Sequence, residues 1–516
     1  MKTTLAFVIL AAAGLAHAEV ASKSKCHHGH GQRGVKNVVL MISDGFGPAS
    51  ETTARTFFQV RDNLKYTYKS PLDDIIVGNV RTKAYDNWVT DSASAATAYA
   101  CGVKTFNAAI GVTHDNKNCG TVVEAAKLKG LSTGLVTTTR VTHATPAGFA
   151  AHVPERDWEA LIAQQLIGDN PIGGRTLDVL IGGGSSFFFP NTTKGSKRTD
   201  DRDLYKEATT KFGWKNVALT RSQFDSIPND KSALPLLATF TPSHMSYQID
   251  RNATLEPSLA EMSHKALQAL KDEGKGFFLM IEGGRIDHAG HINDPAAHIH
   301  DIKAYWDTVE LVKKFADEDG HTLVIHVSDH ETGGLTAARQ MTSTQKDGSN
   351  TTAAFPYEWF PQHLLKASAS TEKLASLIRA QAAVPGADLF TFVKNLVIKS
   401  YGIDVRDEEV THLIAALRRE AGGAQFTEWA LGEMLNSRAE LGWTTHGHTG
   451  VDVILGTYGA TSNSIRGSYE NTEISDIIEQ RLRIDRSKVK FAYPPPPMPA
   501  LTRRSDSESH VFGLHD

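Results

Sequence analysis

Cysteine is nearly absent. Cys26, Cys101 and Cys119 are the whole supply in 516 residues. That excludes a disulfide framework, so stability must come from a buried core, which a hydrophobic content of 41% can fill. An odd count leaves one thiol free within a monomer. Cys101 ends an alanine-rich, helix-like run and is expected to be that buried thiol, which leaves Cys26 to pair with Cys119. Charge of one sign is also lacking. The formal net charge is -4, and no basic stripe of the kind that neutralises a nucleic-acid backbone is present. Beyond the N-terminus no apolar run is long enough to cross a bilayer. The run Gly182-Gly183-Gly184 has neither G-x-G-x-x-G spacing nor the Lys-Ser/Thr of a P-loop, so it reads as a turn. No internal repeat is visible.

The N-terminus carries an address. Lys2 precedes an apolar run from Leu5 to Leu15, followed by Ala16-His17-Ala18. A basic start, a short apolar core and a small-x-small site predict a cleaved signal peptide over residues 1–18, and hence the secretory pathway, extracellular or vacuolar. Residues 19–34 are expected to form a flexible linker, despite the metal-binding look of Cys26-His27-His28-Gly29-His30. Asn191, Asn252 and Asn350 stand in N-x-S/T sequons and are candidate glycosylation sites.

From Val35 onward, short apolar runs end in polar or glycine-rich turns. Val38–Ile42 precedes Ser43-Asp44-Gly45. Phe277–Ile281 precedes Glu282-Gly283-Gly284. Leu323–Val327 precedes Ser328-Asp329-His330. Similar runs at Gly134–Thr138 and Val179–Ile181 complete the set. Such runs predict strands buried on both faces. A helix is expected after Asp294-Pro295, with Ile299, Ile302, Tyr305, Val309 and Val312 in helical register and Gly320 ending it. The expectation is an α/β fold: a large, mostly parallel central sheet covered by helices on both faces. The main domain is placed at residues 35–485, with a helical insertion at about 345–440 and a proline-rich disordered tail over 486–516.

In open α/β sheets ligands bind beyond the carboxyl ends of the strands. Asp44, Glu282, Asp329 and His330 all fall there. Asp287 and His291 are four apart, so on a helical turn they share one face. A carboxylate and an imidazole at that spacing suit zinc, and His448, in a loop before another strand, could complete a three-ligand set. Ser92 opens an alanine-rich helix, where free N–H groups attract anions. On that segment alone the ordinary N-cap is the better reading.

The ordered set decides between these readings. Asp44-Gly45, Asp91-Ser92-Ala93, Thr145-Pro146-Ala147, the run Glu282 to His291, Asp329 to Gly334 and His448-Thr449-Gly450 together resemble the alkaline phosphatase family, most closely its fungal branch. The resemblance implies hydrolysis of phosphate monoesters by a homodimer with two zinc ions and one magnesium. It implies that Asp287, His291 and His448 hold one zinc, that Asp44, Asp329 and His330 hold the second, and that Asp44, Thr145 and Glu282 hold magnesium. Ser92 becomes the nucleophile and Arg156 the phosphate clamp. His143 and His288 stand where relatives vary and are expected beside the third metal rather than on it. A sulfatase would need a C/S-x-P-x-R setting that Ser92-Ala93-Ser94 lacks. A phosphodiesterase sibling and a non-catalytic metal-binding glycoprotein are the remaining alternatives.

Overall fold

The computed structural model describes residues 34–339, 358–420 and 425–498. The expected signal peptide, Cys26, Asn350 and the last part of the tail lie outside the described residues.

The chain folds around a ten-stranded sheet. In chain order its strands are β1 (Asn37–Ile42), β2 (Ile76–Arg81), β3 (Ser132–Arg140), β4 (Val179–Gly183), β5 (Asn216–Ala218), β6 (Leu236–Thr239), β7 (Phe277–Glu282) and β8 (Thr322–Val327). Next come β9 (Glu331–Thr332) and β10 (His448–Thr449), which form a separate ribbon, and then β11 (Val453–Gly459) and β12 (Gly467–Glu470) rejoin the large sheet. The spatial order is β12-β2-β11-β8-β1-β7-β3-β4-β6-β5. Among the described residues every pairing in it is parallel except those of β11 with β2 and β8.

Side chains of β1 alternate between two cores. Val39 and Met41 join the core that covers one face, and Val38, Leu40 and Ile42 join the other. A strand that feeds two cores must be apolar at every position, which is why β1, β7 and β8 read as unbroken apolar runs. The helix Pro295–Asp319 packs on the first face. It starts at Asp294, whose carboxylate accepts from the N–H groups of Ala296 and Ala297, and stops at Gly320 in the left-handed region, as the sequence predicts. The predicted insertion contains the helices Thr371–Ala382, Leu389–Tyr401, Asp407–Arg419 and Phe426–Ala439.

Two expectations are corrected. Cys101 is buried but is not a free thiol: it bonds Cys119, with Cα atoms 5.8 Å apart. Gly102 turns the chain through φ +72° at the helix end, and an antiparallel bridge between Val112 and Asn118 brings residue 119 back. Burial was read correctly, but buried Cys and paired Cys are not exclusive states. The expected tail from residue 486 is also ordered as far as 498. Arg486 bonds Glu479, the Ala492 N–H donates to the Pro171 carbonyl at 2.7 Å, and Asn118 Nδ2 donates to the Tyr493 carbonyl at 2.9 Å. Four prolines remove donors, yet their neighbours and carbonyls still find partners.

Among the described residues no helix is long and apolar enough to cross a membrane. Asn191 and Asn252 are both exposed.

Candidate active site

Strand register sets the site. Ile42 lies opposite Glu282 on one side and Val327 on the other. The three chains therefore leave the sheet at one level, and Asp44, Glu282 and Asp329 emerge together. Gly45 follows with φ +73°, and a Cβ there would lie 2.5 Å from Asp287 Cα. Only glycine permits that approach between the β1 turn and the helix Arg285–Ile292. Gly283 and Gly284 serve packing more than bending. Neither has a left-handed φ, and a Cβ on Gly284 would meet Thr139 Cγ2 at 2.2 Å.

The small ribbon brings in the distant histidine. His448 pairs with Thr332 and Thr449 with Glu331, so β10 lies against the segment that follows His330. His448 stacks on His330 with ring centroids 3.4 Å apart, and its Nδ1 lies 2.8 Å from the Thr90 carbonyl. Nε2 of His448 is 3.6 Å from Asp287 Oδ1 and 3.2 Å from His291 Nε2. His291 Nε2 in turn is 3.2 Å from Asp287 Oδ2. The expected trio of Asp287, His291 and His448 thus converges.

A second group surrounds His330 Nε2, with Asp329 Oδ2 at 3.1 Å and Asp44 Oδ1 at 3.6 Å. Ser92 Oγ is 3.0 Å from the same nitrogen. Ser92 is the first residue of its helix, but Asp91 does the capping, accepting from Ser94 N–H at 2.9 Å. The Ser92 hydroxyl is thereby released from the ordinary N-cap role. The third group is rich in oxygens, with the His143 imidazole beside them. Thr145 Oγ1 donates to Asp44 Oδ2 at 3.2 Å, and Asp44, His143 and Glu282 offer ligand atoms within 4.8 Å of one another. Arg156 donates to Asp91 Oδ2 at 3.3 Å and contacts His143 Nε2 at 3.0 Å.

Four carboxylates share this buried space, and one oxygen of each — Asp44 Oδ1, Glu282 Oε1, Asp287 Oδ2 and Asp329 Oδ2 — lies outside hydrogen-bonding geometry with any donor among the described residues. Burial, reinforced by Asp329, Asp287 and Glu282, drives the Asp44 carboxyl well above its ordinary range. Burial likewise lifts Glu282 to about 7. Burial also opposes ionisation of Asp287, but His291, His448 and His330 outweigh it and hold that carboxyl well below its usual range. Crowded anions with open lone pairs and facing imidazoles are a donor set for cations.

Sequence reasoning does not reach the groups that hold these carboxylates. Thr332 Oγ1 donates to Asp287 Oδ1 at 2.5 Å, and Thr137 Oγ1 donates to Glu282 Oε2. Their signal was the position of hydroxyl residues at the strand ends, as in Thr137-Thr138-Thr139. His244 was also missed. It packs against His288 with centroids 4.2 Å apart.

The family model described as Alkaline phosphatase matches residues 35–484. The chain belongs to the alkaline phosphatase family. It is 39% identical over 490 residues to the alkaline phosphatase of Schizosaccharomyces pombe, covering 93% of this chain and 88% of that one. It is 39% identical over 484 residues to the repressible alkaline phosphatase of Saccharomyces cerevisiae, covering 88% and 82%. Thermus thermophilus alkaline phosphatase superposes with a TM-score of 0.72 at 29% identity, over 88% of this chain and 92% of that one. The fold and the fungal affinity expected from the sequence both stand. The chain is a phosphate-monoester hydrolase of a metal-dependent family.

Proposed function

We propose that the chain hydrolyses phosphate monoesters through a covalent phosphoserine at Ser92, with two zinc ions and one magnesium bound. The observation that carries this reading is the position of Ser92 Oγ, 3.0 Å from the nitrogen on which Asp44 and Asp329 converge. The two imidazole-containing groups, Asp287–His291–His448 and Asp44–Asp329–His330, have the mixed nitrogen and oxygen donors that suit zinc. Asp44, Thr145 and Glu282 supply hard oxygens that suit magnesium. When bound, such cations lower the pKa of coordinated oxygen and offset charge on the attacking and leaving oxygens.

The chain's own residues do the rest. Ser92 attacks phosphorus from the start of its helix, where free backbone N–H groups favour the phosphoryl oxygens. As the Ser92 oxygen–phosphorus bond forms, the hydroxyl proton passes to solvent, the phosphorus–oxygen bond to the alcohol breaks, and the leaving oxygen takes a proton from solvent and departs as the alcohol. Water then releases phosphate from Ser92. Arg156, fixed by Asp91, presents a planar fork to two phosphoryl oxygens. His143 lies between that arginine and the oxygen-rich group, where it would orient water rather than ligate metal. His288 is its neighbour, 5.5 Å away between ring centroids.

The same proposal includes a homodimer, entry into the secretory pathway through residues 1–18, and glycans at Asn191, Asn252 and Asn350. The test compares a phosphate monoester, a diester and a sulfate ester, before and after chelation. Monoester turnover is expected to dominate, to vanish with chelator, and to return with zinc and magnesium. Ser92→Ala is expected to keep its metals, to lose about 10^4-fold in kcat and to trap no phosphoenzyme. Undiminished turnover by that variant would sink the mechanism.

A further inference from the structure

Beside the Asp287–His291–His448 group lies a cavity of about 320 Å³ with His291 in its wall. Arg140, Ser243, His244, Tyr247, Arg285 and His288 also line it. On distance alone it touches a metal-like cluster, since His143, His244 and His288 offer ligand atoms within 4.8 Å of one another. The surroundings argue against a cation there. Each imidazole meets a guanidinium: Arg156 Nη2 is 3.0 Å from His143 Nε2, Arg140 Nη1 is 2.5 Å from His244 Nε2, and Arg285 Nη1 is 3.2 Å from His288 Nδ1. A guanidinium can only donate, so a neutral ring turns its lone pair toward it and carries its proton on the other nitrogen. A metal-bound histidine needs the reverse arrangement, an acceptor on its outer nitrogen. His244 is pressed further, because the Arg140 backbone N–H points at Nδ1 from 3.2 Å.

Donors outnumber acceptors in the wall, although Glu372 and Gln425, whose buried Oε1 has no hydrogen-bond partner among the described residues, also line the cavity. The Tyr247 hydroxyl and Arg285 Nε belong to side chains of residues only 1% and 5% exposed, and neither has a hydrogen-bond partner among the described residues. The Arg285 guanidinium lies 3.8 Å over the Tyr247 ring. The nearby carboxylates are committed. Glu372 accepts from Arg285 Nη2 at 2.7 Å, and Glu159 accepts from Arg140 Nε at 2.8 Å. The Tyr247 hydroxyl and Arg285 Nε still lack an acceptor.

We propose that this cavity is a subsite for an oxyanion, a carboxylate or a second phosphate, carried by the alcohol of the substrate. The inference rests on the monoesterase reading above. His291 borders both the reacting centre and the cavity, so an anionic arm on the leaving alcohol enters it directly. Arg140, Arg285 and Tyr247 are its binding donors, with Ser243 at the edge. Burial, together with His288, Arg140 and His143, holds the His244 imidazole well below its usual pKa range.

The test uses the metal-loaded full chain and three monoesters: glycerol 3-phosphate, 3-phosphoglycerate and fructose 1,6-bisphosphate. KM is measured for wild type, Tyr247→Phe and Arg140→Gln. The Tyr247→Phe change removes only a hydroxyl that lacks a partner, so folding is preserved even where Arg140→Gln disturbs the Glu159 contact. In either variant KM for at least one anionic ester is expected to rise about tenfold relative to that for glycerol 3-phosphate, a loss of one charge-assisted hydrogen bond. A rise for 3-phosphoglycerate alone assigns the subsite to carboxylates, and a rise for the bisphosphate alone assigns it to phosphate. Equal changes for all three esters, or none, overturn the subsite. Failure of the wild-type enzyme to hydrolyse glycerol 3-phosphate would instead overturn the monoesterase reading itself.

Discussion

Buried carboxylates occur in two regions of this molecule and are treated in opposite ways. Behind the strand ends, Asp294 takes N–H groups of Ala296 and Ala297 on one oxygen and of Thr371 on the other. Glu124 accepts from Thr121 N–H at 2.9 Å and faces His152 Nε2 at 2.7 Å. Glu51 accepts from Ser70 and from Trp306 Nε1. At the strand ends, Asp44, Glu282, Asp287 and Asp329 each keep an oxygen outside hydrogen-bonding geometry, although His291 and His330 stand within 3.2 Å of those of Asp287 and Asp329. A buried charge is costly unless it is paired and hydrogen-bonded. The first set is satisfied by the protein and supports the fold. The second set is only partly satisfied by the protein, and the fold carries that cost.

The comparison is broken most forcefully at Asp44, which touches two of the proposed groups. Asp44→Asn is expected to lower kcat/KM by about 10^3-fold, of the order expected for losing catalytic electrostatics. The same variant, stripped of metal, is expected to melt higher than stripped wild type, because one member of a repelling set has been neutralised. Calorimetry of both proteins in chelator checks this, and a lower melting point for the variant would contradict it.

Glu51 sharpens the comparison from the other side. Burial pushes its carboxyl up to about 7 from an ordinary 4.5. A carboxyl raised in the folded state contributes stability below its unfolded pKa and loses it as pH rises through the folded value. Relative to Glu51→Gln, the wild type should therefore lose about 3 kcal/mol between pH 4.5 and somewhat above 7, with a plateau beyond. Urea titrations of the two proteins across that range read the difference directly. A pH-independent difference would show that Glu51 keeps an ordinary pKa in the folded protein.

Asp294→Ala should cost about 3 kcal/mol, combining a lost N-cap with an orphaned Thr371 N–H. Its metal content should match wild type by elemental analysis, which separates a structural carboxylate from a ligand. Thr332→Ala sits at the small end. It removes the hydroxyl that orients Asp287, and zinc affinity should fall about 10- to 100-fold with the fold intact. Chelator competition measures it.

Much of this is legible in the sequence. Val38–Ile42, Phe277–Ile281 and Leu323–Val327 announce central strands because burial on both faces leaves no room for polar residues. Their ends announce Asp44, Glu282 and Asp329. Asp287 and His291 are visible from one helical spacing. His448 is different: its place depends on a two-residue ribbon with Thr332 that has no periodicity to read, so the residues alone offer it only as a candidate and the ordered family resemblance carries the assignment. The hydroxyls of Thr137 and Thr332, the Cys101–Cys119 bond and the His244 cluster depend on side chains meeting across long separations. Local pattern carries no record of such meetings. The docked segment 486–498 was missed for a related reason, since proline-rich composition describes the loss of donors but not the partners supplied by the body.

The open carboxylates are the centre of the account, and diffraction from crystals at the zinc absorption edge tests them most directly. The account predicts two anomalous peaks, one among Asp287, His291 and His448 and one among Asp44, Asp329 and His330, with none among Asp44, Thr145 and Glu282. Zinc found in the oxygen-only group, or in neither imidazole group of an active preparation, would contradict it.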